Sequence, residues 1–361
     1  MPAAINQRAL AALTGVCQTT VSLALRGDPS IPVATREHIR RIADKAGYRP
    51  NPQVASLMAH IRRGRNRKTR DCIALLVDAA EPSGWLDLDF VRCQHDGMVA
   101  RAAELGFRTE PFYLRAKGMT VARLDRILHA RGIRALVLAG PRRSALELSA
   151  LRWSDFACAT ISYTWDKPAV DRVSSHHRHN MDVVLGQLEA RGYKRIGLSL
   201  QPHEVAAVDR NWLSGLLVMQ QRLPVARRLP IFIGQHDPAG FPRFAAWFEK
   251  WRPDALVTLA GQEETWLRRL GLHSPADIGH ACVNRADGTH VAGIEEDHAL
   301  IGSTVIELLV AQIHRNEYGL TLRPRLTLIN GEWHEGDTLR PEQAPSKSAA
   351  RRTKTPIHAD R

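Results

Sequence analysis

The chain has 361 residues, 44% of them hydrophobic, and a formal net charge of +13. That length exceeds one small domain, and that hydrophobic share is the share of a globular protein. No apolar run approaches the roughly 18–20 residues of a membrane span, and five widely spaced cysteines with no Cys-x-x-Cys pair argue against a zinc ribbon and for reduced thiols in a cytoplasm. The start, Met1 to Gln7, has neither a basic n-region nor an apolar h-region, so no signal peptide is expected.

The charge is concentrated. Residues 1–70 hold thirteen Lys and Arg against three Asp and Glu, residues 341–361 hold five against two, and residues 71–340 are neutral. A neutral body with a basic head suits a chain whose head alone meets a polyanion, whereas charge carried for solubility would be spread evenly.

Taken in order, Asn6 caps a short helix from Gln7 to Leu13 with Ala9, Leu10 and Leu13 inward. Gly15 is a turn residue. Cys17 to Leu25 form a second short helix, with Val21, Ala24 and Leu25 inward and Gln18, Thr19, Ser22 and Leu23 outward. Two short helices joined by a tight glycine turn make a helix-turn-helix, whose second helix offers its first turn to a major groove. The same spacing also fits two ordinary helices of a small core. A third amphipathic helix, Thr35 to Ala46, turns Ile39, Ile42, Ala43 and Ala46 inward and stops at the run 47–52. That helix and the local basic charge favour the DNA-binding reading.

Residues 5–57 resemble the DNA-binding headpiece of the LacI (lactose-repressor) family of bacterial transcription regulators. The matching pieces are Leu-Thr-Gly-Val-Cys-Gln-Thr-Thr-Val-Ser-Leu-Ala-Leu at 13–25, Thr-Arg-Glu-His-Ile at 35–39, Ala-Gly-Tyr-Arg-Pro-Asn-Pro at 46–52, and Leu57. Two departures stand out: Ala9-Leu10-Ala11 replaces the family's Asp-Val-Ala, and Cys17 replaces the serine that opens the recognition helix. The resemblance implies a DNA-facing set of Asn6, Cys17, Gln18, Thr19, Thr20, Ser22 and Leu23. Gln18, Thr19 and Leu23 would read base edges, since Gln pairs with adenine, Thr bonds or touches a thymine methyl, and Leu offers apolar contact. Ser22, Cys17 and nearby basic residues would hold phosphates.

Asn51 and Pro52 open another helix, with Val54, Leu57, Met58 and Ile61 in one apolar stripe. By the resemblance this is the hinge helix, paired with its twin in a dimer, and Leu57 is the minor-groove wedge that bends the operator. Val54-Ala55 stand where the family has Ala-Arg. The stretch 59–70, longer than the family's connection, reads as a helix extension and a flexible basic linker. Beside a DNA-binding head, phosphate contact is favoured there over a merely solvated charge run.

From Cys72 onward strands and helices alternate. Strands are expected at 73–77, 108–114, 135–139, 156–162, 195–200, 231–233, 255–259, 280–283, 291–295 and 326–329. Helices are expected at 90–105, 121–130, 180–191, 205–220, 241–250, 265–270 and 297–315. Such alternation implies parallel sheets covered on both faces, in two lobes of about a hundred residues each. The body resembles the family's periplasmic-binding-protein-like sensor, with Gly192-Tyr-Lys-Arg-Ile-Gly197 for its Gly-His-x-x-Ile element. The segments near the end resemble its return to the first lobe. The fold class is therefore α/β: a small all-α helix-turn-helix headpiece (1–51), a hinge helix and basic linker (52–71), a two-lobed sensor that also dimerises (72–340), and a disordered basic tail (341–361).

Ligands of such bodies bind at strand carboxyl ends, in a cleft. The residues placed there are Trp85, Trp165, His176, Arg210, Trp212, Asn284 and Glu296. Tryptophan faces beside Arg, Asn, Glu and His suit a sugar or other polyol, although each tryptophan taken singly is better explained as core. By the resemblance a ligand arginine stands three residues before the glycine at 215; here that position is Trp212, with Arg210 two further back. No Gly-x-Ser-x-Gly, His-Glu-x-x-His or phosphate-cradling glycine loop occurs, and adjacent histidines at 176, 177 and 179 are a poor metal set. No cofactor, metal or catalytic residue is expected. The reading is a homodimeric, ligand-controlled repressor of a near-palindromic DNA operator. The alternative is a cytoplasmic α/β enzyme or solute-binding module with a DNA-binding head.

Overall fold

The computed structural model describes residues 7–25, 28, 30–46, 48, 71–141, 147–259 and 262–342. Asn6, Leu57, the expected hinge helix and basic linker, and the tail beyond 342 lie outside the described residues.

Three helices form the headpiece: α1 (Gln7–Thr14), α2 (Gln18–Leu25) and α3 (Val33–Lys45). Gly15 turns the chain between α1 and α2 at φ +68, a left-handed conformation that costs glycine little. Leu10, Val21, Ala24, Ile39 and Ala43 form the core, flanked by Ala11, Val16, Leu25, Ile31, Ile42, Ala46 and Tyr48. One expected inner residue is corrected: Leu13 is 57% exposed. The inward stripe of α1 is Leu10, Ala11 and Thr14, and the Thr14 hydroxyl donates back to the Leu10 carbonyl at 2.7 Å. That rotation turns Leu13 outward.

Contacts divide the chain into two compact units. The first holds the residues through Ile161, Trp165–Val173 and His298–Thr327; the second holds Ser162–Thr164, Ser174–Asp297 and the residues from Leu328.

The first unit carries a six-stranded sheet in the order β11-β5-β4-β3-β1-β2. Its strands are β1 (Cys72–Val77), β2 (Arg108–Tyr113), β3 (Ala135–Ala139), β4 (Ala157–Ile161), β5 (Asp171–Ser175) and β11 (Leu326–Ile329), the last residues of β5 and β11 counting to the second unit. β1 pairs in parallel with β2 and β3, β3 with β4, and β4 with β5. The continuous apolar runs of β1, β3 and β4 suit strands buried on both faces. Helices α4 (Asp89–Glu104), α5 (Val121–Ala130) and α11 (His298–Arg315) belong to this unit, and Thr120 caps α5 by accepting from the Arg123 amide at 3.2 Å.

The second unit carries β12-β10-β9-β8-β6-β7. These are β6 (Ile196–Leu200), β7 (Phe232–Ile233), β8 (Ala255–Thr258), β9 (Gly279–Cys282), β10 (Ala292–Glu295) and β12 (Glu332–His334). All the described pairings are parallel except β12 against β10. Helices α6 (His177–Ala190), α7 (Pro202–Ala207), α8 (Asn211–Gln221), α9 (Phe241–Trp251) and α10 (Gln262–Arg269) complete it.

Three features depart from the sequence expectation. The helix expected over 205–220 is two helices, broken where Asp209 (φ 47) and Arg210 (φ 60) are both left-handed. Strands β5 and β12 were not anticipated, being short and polar. Of the segments expected to return to the first unit, β10 stays in the second sheet, while α11 lies in the first unit.

Candidate nucleic-acid interface and sensor residues

Helix α2 exposes Gln18 and Thr19 on its first turn, with Thr20, Ser22 and Leu23 half-buried. Val21 and Ala24 anchor the opposite face. Cys17 is exposed just before the helix, and its carbonyl accepts from the Val21 amide at 3.1 Å. Its thiol lies 3.1 Å from the Thr20 hydroxyl, and that contact lowers the thiol pKa from its ordinary value. Cys17 therefore takes up the capping place that the sequence comparison left to a serine, with sulfur in place of oxygen. Thr20 is engaged with Cys17, and Gln18 and Thr19 are the exposed side chains of the first turn.

In the first unit, the structure brings Trp85 and Trp165 to the same point. The Trp165 indole donates to the Gly140 carbonyl at 3.1 Å, and a Cβ on Gly140 would stand 3.5 Å from the Trp85 ring. Gly140 follows β3 with φ +70. Trp85 also meets His95 of α4 edge to face, centroids 5.3 Å apart. Trp85 is 3% exposed and Trp165 0%, so both rings pack as core, and neither presents an open face for stacking.

In the second unit, His176 precedes α6. Its amide donates to the Ile329 carbonyl at 2.7 Å, its Nδ1 lies 2.9 Å from Asn330 Oδ1, and its ring stacks on His179. Stacked imidazoles do not converge on one ion. Glu296 is buried just after β10. Its Oε1 lies 3.1 Å from His177 Nδ1 and accepts from Asn180 Nδ2 at 3.1 Å. Asn180 also reaches the Ser175 hydroxyl and accepts from the Gly331 amide. Trp212 packs edge-on against His177 at 5.2 Å; it is 3% exposed, and its indole N–H is without a hydrogen-bond partner among the described residues. Sequence reasoning placed Glu296 and Trp212 separately and missed His177 and Asn180, which join them. The signal was available: on a helix opening at 177, residues 177, 180, 181 and 184 share one face. Asn284 is half-buried after β9, and Arg210 is exposed, its guanidinium 3.5 Å from Asp209.

The second unit also places Ser199, His236 and Glu263 together. Ser199 Oγ and Glu263 Oε1 both address His236 Nε2, at 3.2 and 3.1 Å. A nucleophile relay needs one ring nitrogen for the hydroxyl and the other for the carboxylate, so this arrangement is not one. Among the described residues no group of three or more His, Cys, Asp or Glu is placed to hold a metal ion, and no helix is long and apolar enough to cross a membrane.

The chain thus carries a three-helix headpiece with an exposed turn at the start of its second helix, and two α/β sheets that are mostly parallel. Residues 9–51 match the model for bacterial regulatory proteins of the lacI family, and the headpiece is a lacI-family DNA-binding domain. The chain is similar in fold to the transcriptional regulator CelR in its cellobiose complex, with 19% identity, 92% of this chain and 99% of that one covered, and a TM-score of 0.54. It is similar to the lac repressor dimer bound to operator and the anti-inducer ONPF (18% identity, 93% and 100% covered, TM-score 0.57). It is also similar to a LacI family transcriptional regulator from Enterococcus faecium with bound ribose (14% identity, 76% and 100% covered, TM-score 0.54). No curated protein matches the chain in sequence.

Proposed function

We propose that this chain is a sequence-specific transcription regulator, a repressor, that binds a near-palindromic operator as a homodimer and answers to a small molecule of the sugar class. The observation that carries the reading is the lacI-family headpiece with Gln18 and Thr19 exposed on the first turn of α2. The concentration of basic charge in residues 1–70 supports it. Similar structures hold operator DNA, cellobiose and ribose, which supports both partners. We read the chain as a binding protein rather than a catalyst, working in the cytoplasm. Its parts are a headpiece to residue 51, a hinge and linker to 71, a sensor to 340 and a basic tail. Trp85, Trp165, His176, Arg210, Trp212, Asn284 and Glu296 were placed at the sensor site from sequence. Of these, Glu296 has the firmest support, through its buried contacts with His177 and Asn180.

Selection of bound duplexes from a random pool, at low and high salt, tests the reading. A salt-tolerant palindrome is expected, because base contacts add to the salt-dependent phosphate grip. Recovery of unpatterned, salt-sensitive binding alone would overturn it. For the hinge, Leu57→Ala is expected to weaken operator binding and reduce DNA bending without unfolding the protein; unchanged bending would remove Leu57 from the minor groove.

A further inference from the structure

Glu263 lies in the first turn of α10, just past the carboxyl end of β8, and is 0% exposed. Its carboxyl faces His236, on the loop after β7, with Oε1 3.1 Å from Nε2. The Ser199 hydroxyl and the Glu263 backbone N–H are its other polar neighbours, yet neither carboxyl oxygen has a well-formed hydrogen bond among the described residues. The remaining charged or titratable groups around the pair offer no compensation. From α7, Glu204 repels a charge on Glu263, and His203 opposes one on His236. From β9, Cys282 is a buried thiol whose pKa burial pushes up to about 11. No Lys or Arg acts on Glu263 among the described residues. Apolar cover comes from Trp266 of α10, edge-on to His236 at 5.5 Å.

A carboxylate so placed has lost its water and gained almost no donors. The amino end of a helix favours an anion, but by much less than full burial disfavours it. The low-energy form is a neutral acid facing a neutral imidazole. Burial accordingly pushes Glu263 up to about 8 and His236 down to about 4.

We propose that Glu263 and His236 form a proton-holding latch that seats the first turn of α10 on the second sheet, and that losing this one proton as pH rises through neutrality weakens the hold on that turn. Outward movement of the helix start that carries Glu263 would bring its ionised carboxylate to water. The inference is independent of DNA binding and of any effector.

Hydrogen exchange of the full chain from about pH 6 to pH 9, corrected for intrinsic exchange, tests the latch on the peptide spanning 262–270. In the wild type, protection there is expected to fall by up to about tenfold per pH unit between about pH 6.5 and 8, the slope for one released proton, and to level off above 8, where the closed form has lost that proton too, while protection of α6 stays level. In Glu263→Gln the fall is expected to vanish, since an amide carries no titrating proton. Glu263→Met, of similar length and apolar, serves if the amide variant does not fold. Level protection of α10 in the wild type overturns the proposal. So does an equal fall in either folded variant.

Discussion

Gly97 of α4 lies directly against Ala299 of α11: a Cβ on Gly97 would stand 2.1 Å from the Ala299 carbonyl oxygen. The contact is reciprocal, because a Cβ on Gly302 would stand 2.0 Å from the Gln94 carbonyl oxygen. Two backbones thus meet without side chains between them, and the two glycines set how closely the helices approach. Gly97→Ala or Gly302→Ala is expected to lower stability by about 1–3 kcal/mol, the usual cost of forcing atoms into a packed contact. Gly186 in α6 is the contrast, with nothing within 4 Å of its Cβ position; Gly186→Ala is expected to raise stability by roughly 0.5–1 kcal/mol through helix propensity. Denaturant melts of the three variants check both signs.

Glu110 on β2 is gripped by two guanidinium groups. Arg131 reaches it through two bonds of 2.5 and 2.6 Å, and Arg108 through one of 2.6 Å. Those bonds, Arg131 first, hold its carboxyl down at about 2. A folded-state pKa below the unfolded one contributes stability that is present above about pH 4.5 and lost as pH falls towards 2. Linkage sets an upper bound of about 3 kcal/mol, and the partial exposure of all three groups brings the expected value to about 1 kcal/mol. Glu110→Gln is expected to cost that much at pH 7 and nothing near pH 2. A variant whose loss is the same at both ends of the pH range would show that the cost is one of packing.

The elements that were legible in the sequence are those whose burial shows as pattern. β1, β3 and β4 are unbroken apolar runs, and α5 has the expected bounds of 121–130; in the structure Thr120 caps it, and Leu124 and Leu128 are buried at helical spacing. β5 was not legible. Its sequence, Asp-Arg-Val-Ser-Ser, has the composition of a loop, yet four of its five residues are buried. What makes that tolerable is distant in sequence: the Asp171 carboxylate accepts from the Arg325 amide and side chain and from Gln312 Nε2. The break at Asp209 and Arg210 was invisible for a related reason, since neither Gly nor Pro marks it. Among the residues expected at an effector site, residue types were legible but partners were not. Glu296 was singled out, whereas its contacts with His177 and Asn180 span 119 and 116 positions of chain.

The Asp171 arrangement carries its own prediction. Gln312 Nε2 is shared between the Cys158 carbonyl and Asp171, while Gln312 Oε1 accepts from the Cys158 amide, so one side chain of α11 ties β4 to β5. Asp171→Ala strips the acceptor from Arg325 and Gln312 in a buried place. It is expected to destabilise the first unit by about 1–3 kcal/mol, because the buried Gln312 amide loses an acceptor without regaining water, while the half-exposed Arg325 side chain keeps Glu317. Arg325→Lys keeps a charge but loses the paired donors, and a smaller loss is expected. Thermal unfolding of both variants checks the order; equal losses would mean that the charge itself matters little.

Gln18 and Thr19 are both exposed on the first turn of α2, but they differ in what they can read. A glutamine amide supplies a donor and an acceptor together and so matches adenine, whose major-groove edge shows both. A threonine offers one hydroxyl and a methyl, which match a thymine methyl or several acceptors without strong choice. Gln18→Ala is therefore expected to relax base preference at one symmetric pair of operator positions by about 1–3 kcal/mol, leaving other positions unchanged. Thr19→Ala is expected to shift preference less and affinity more evenly. Affinities measured across single-base variants of the selected operator separate the cases: a loss confined to one position pair places Gln18 on a base edge, and a uniform loss across all sequences places it on phosphate.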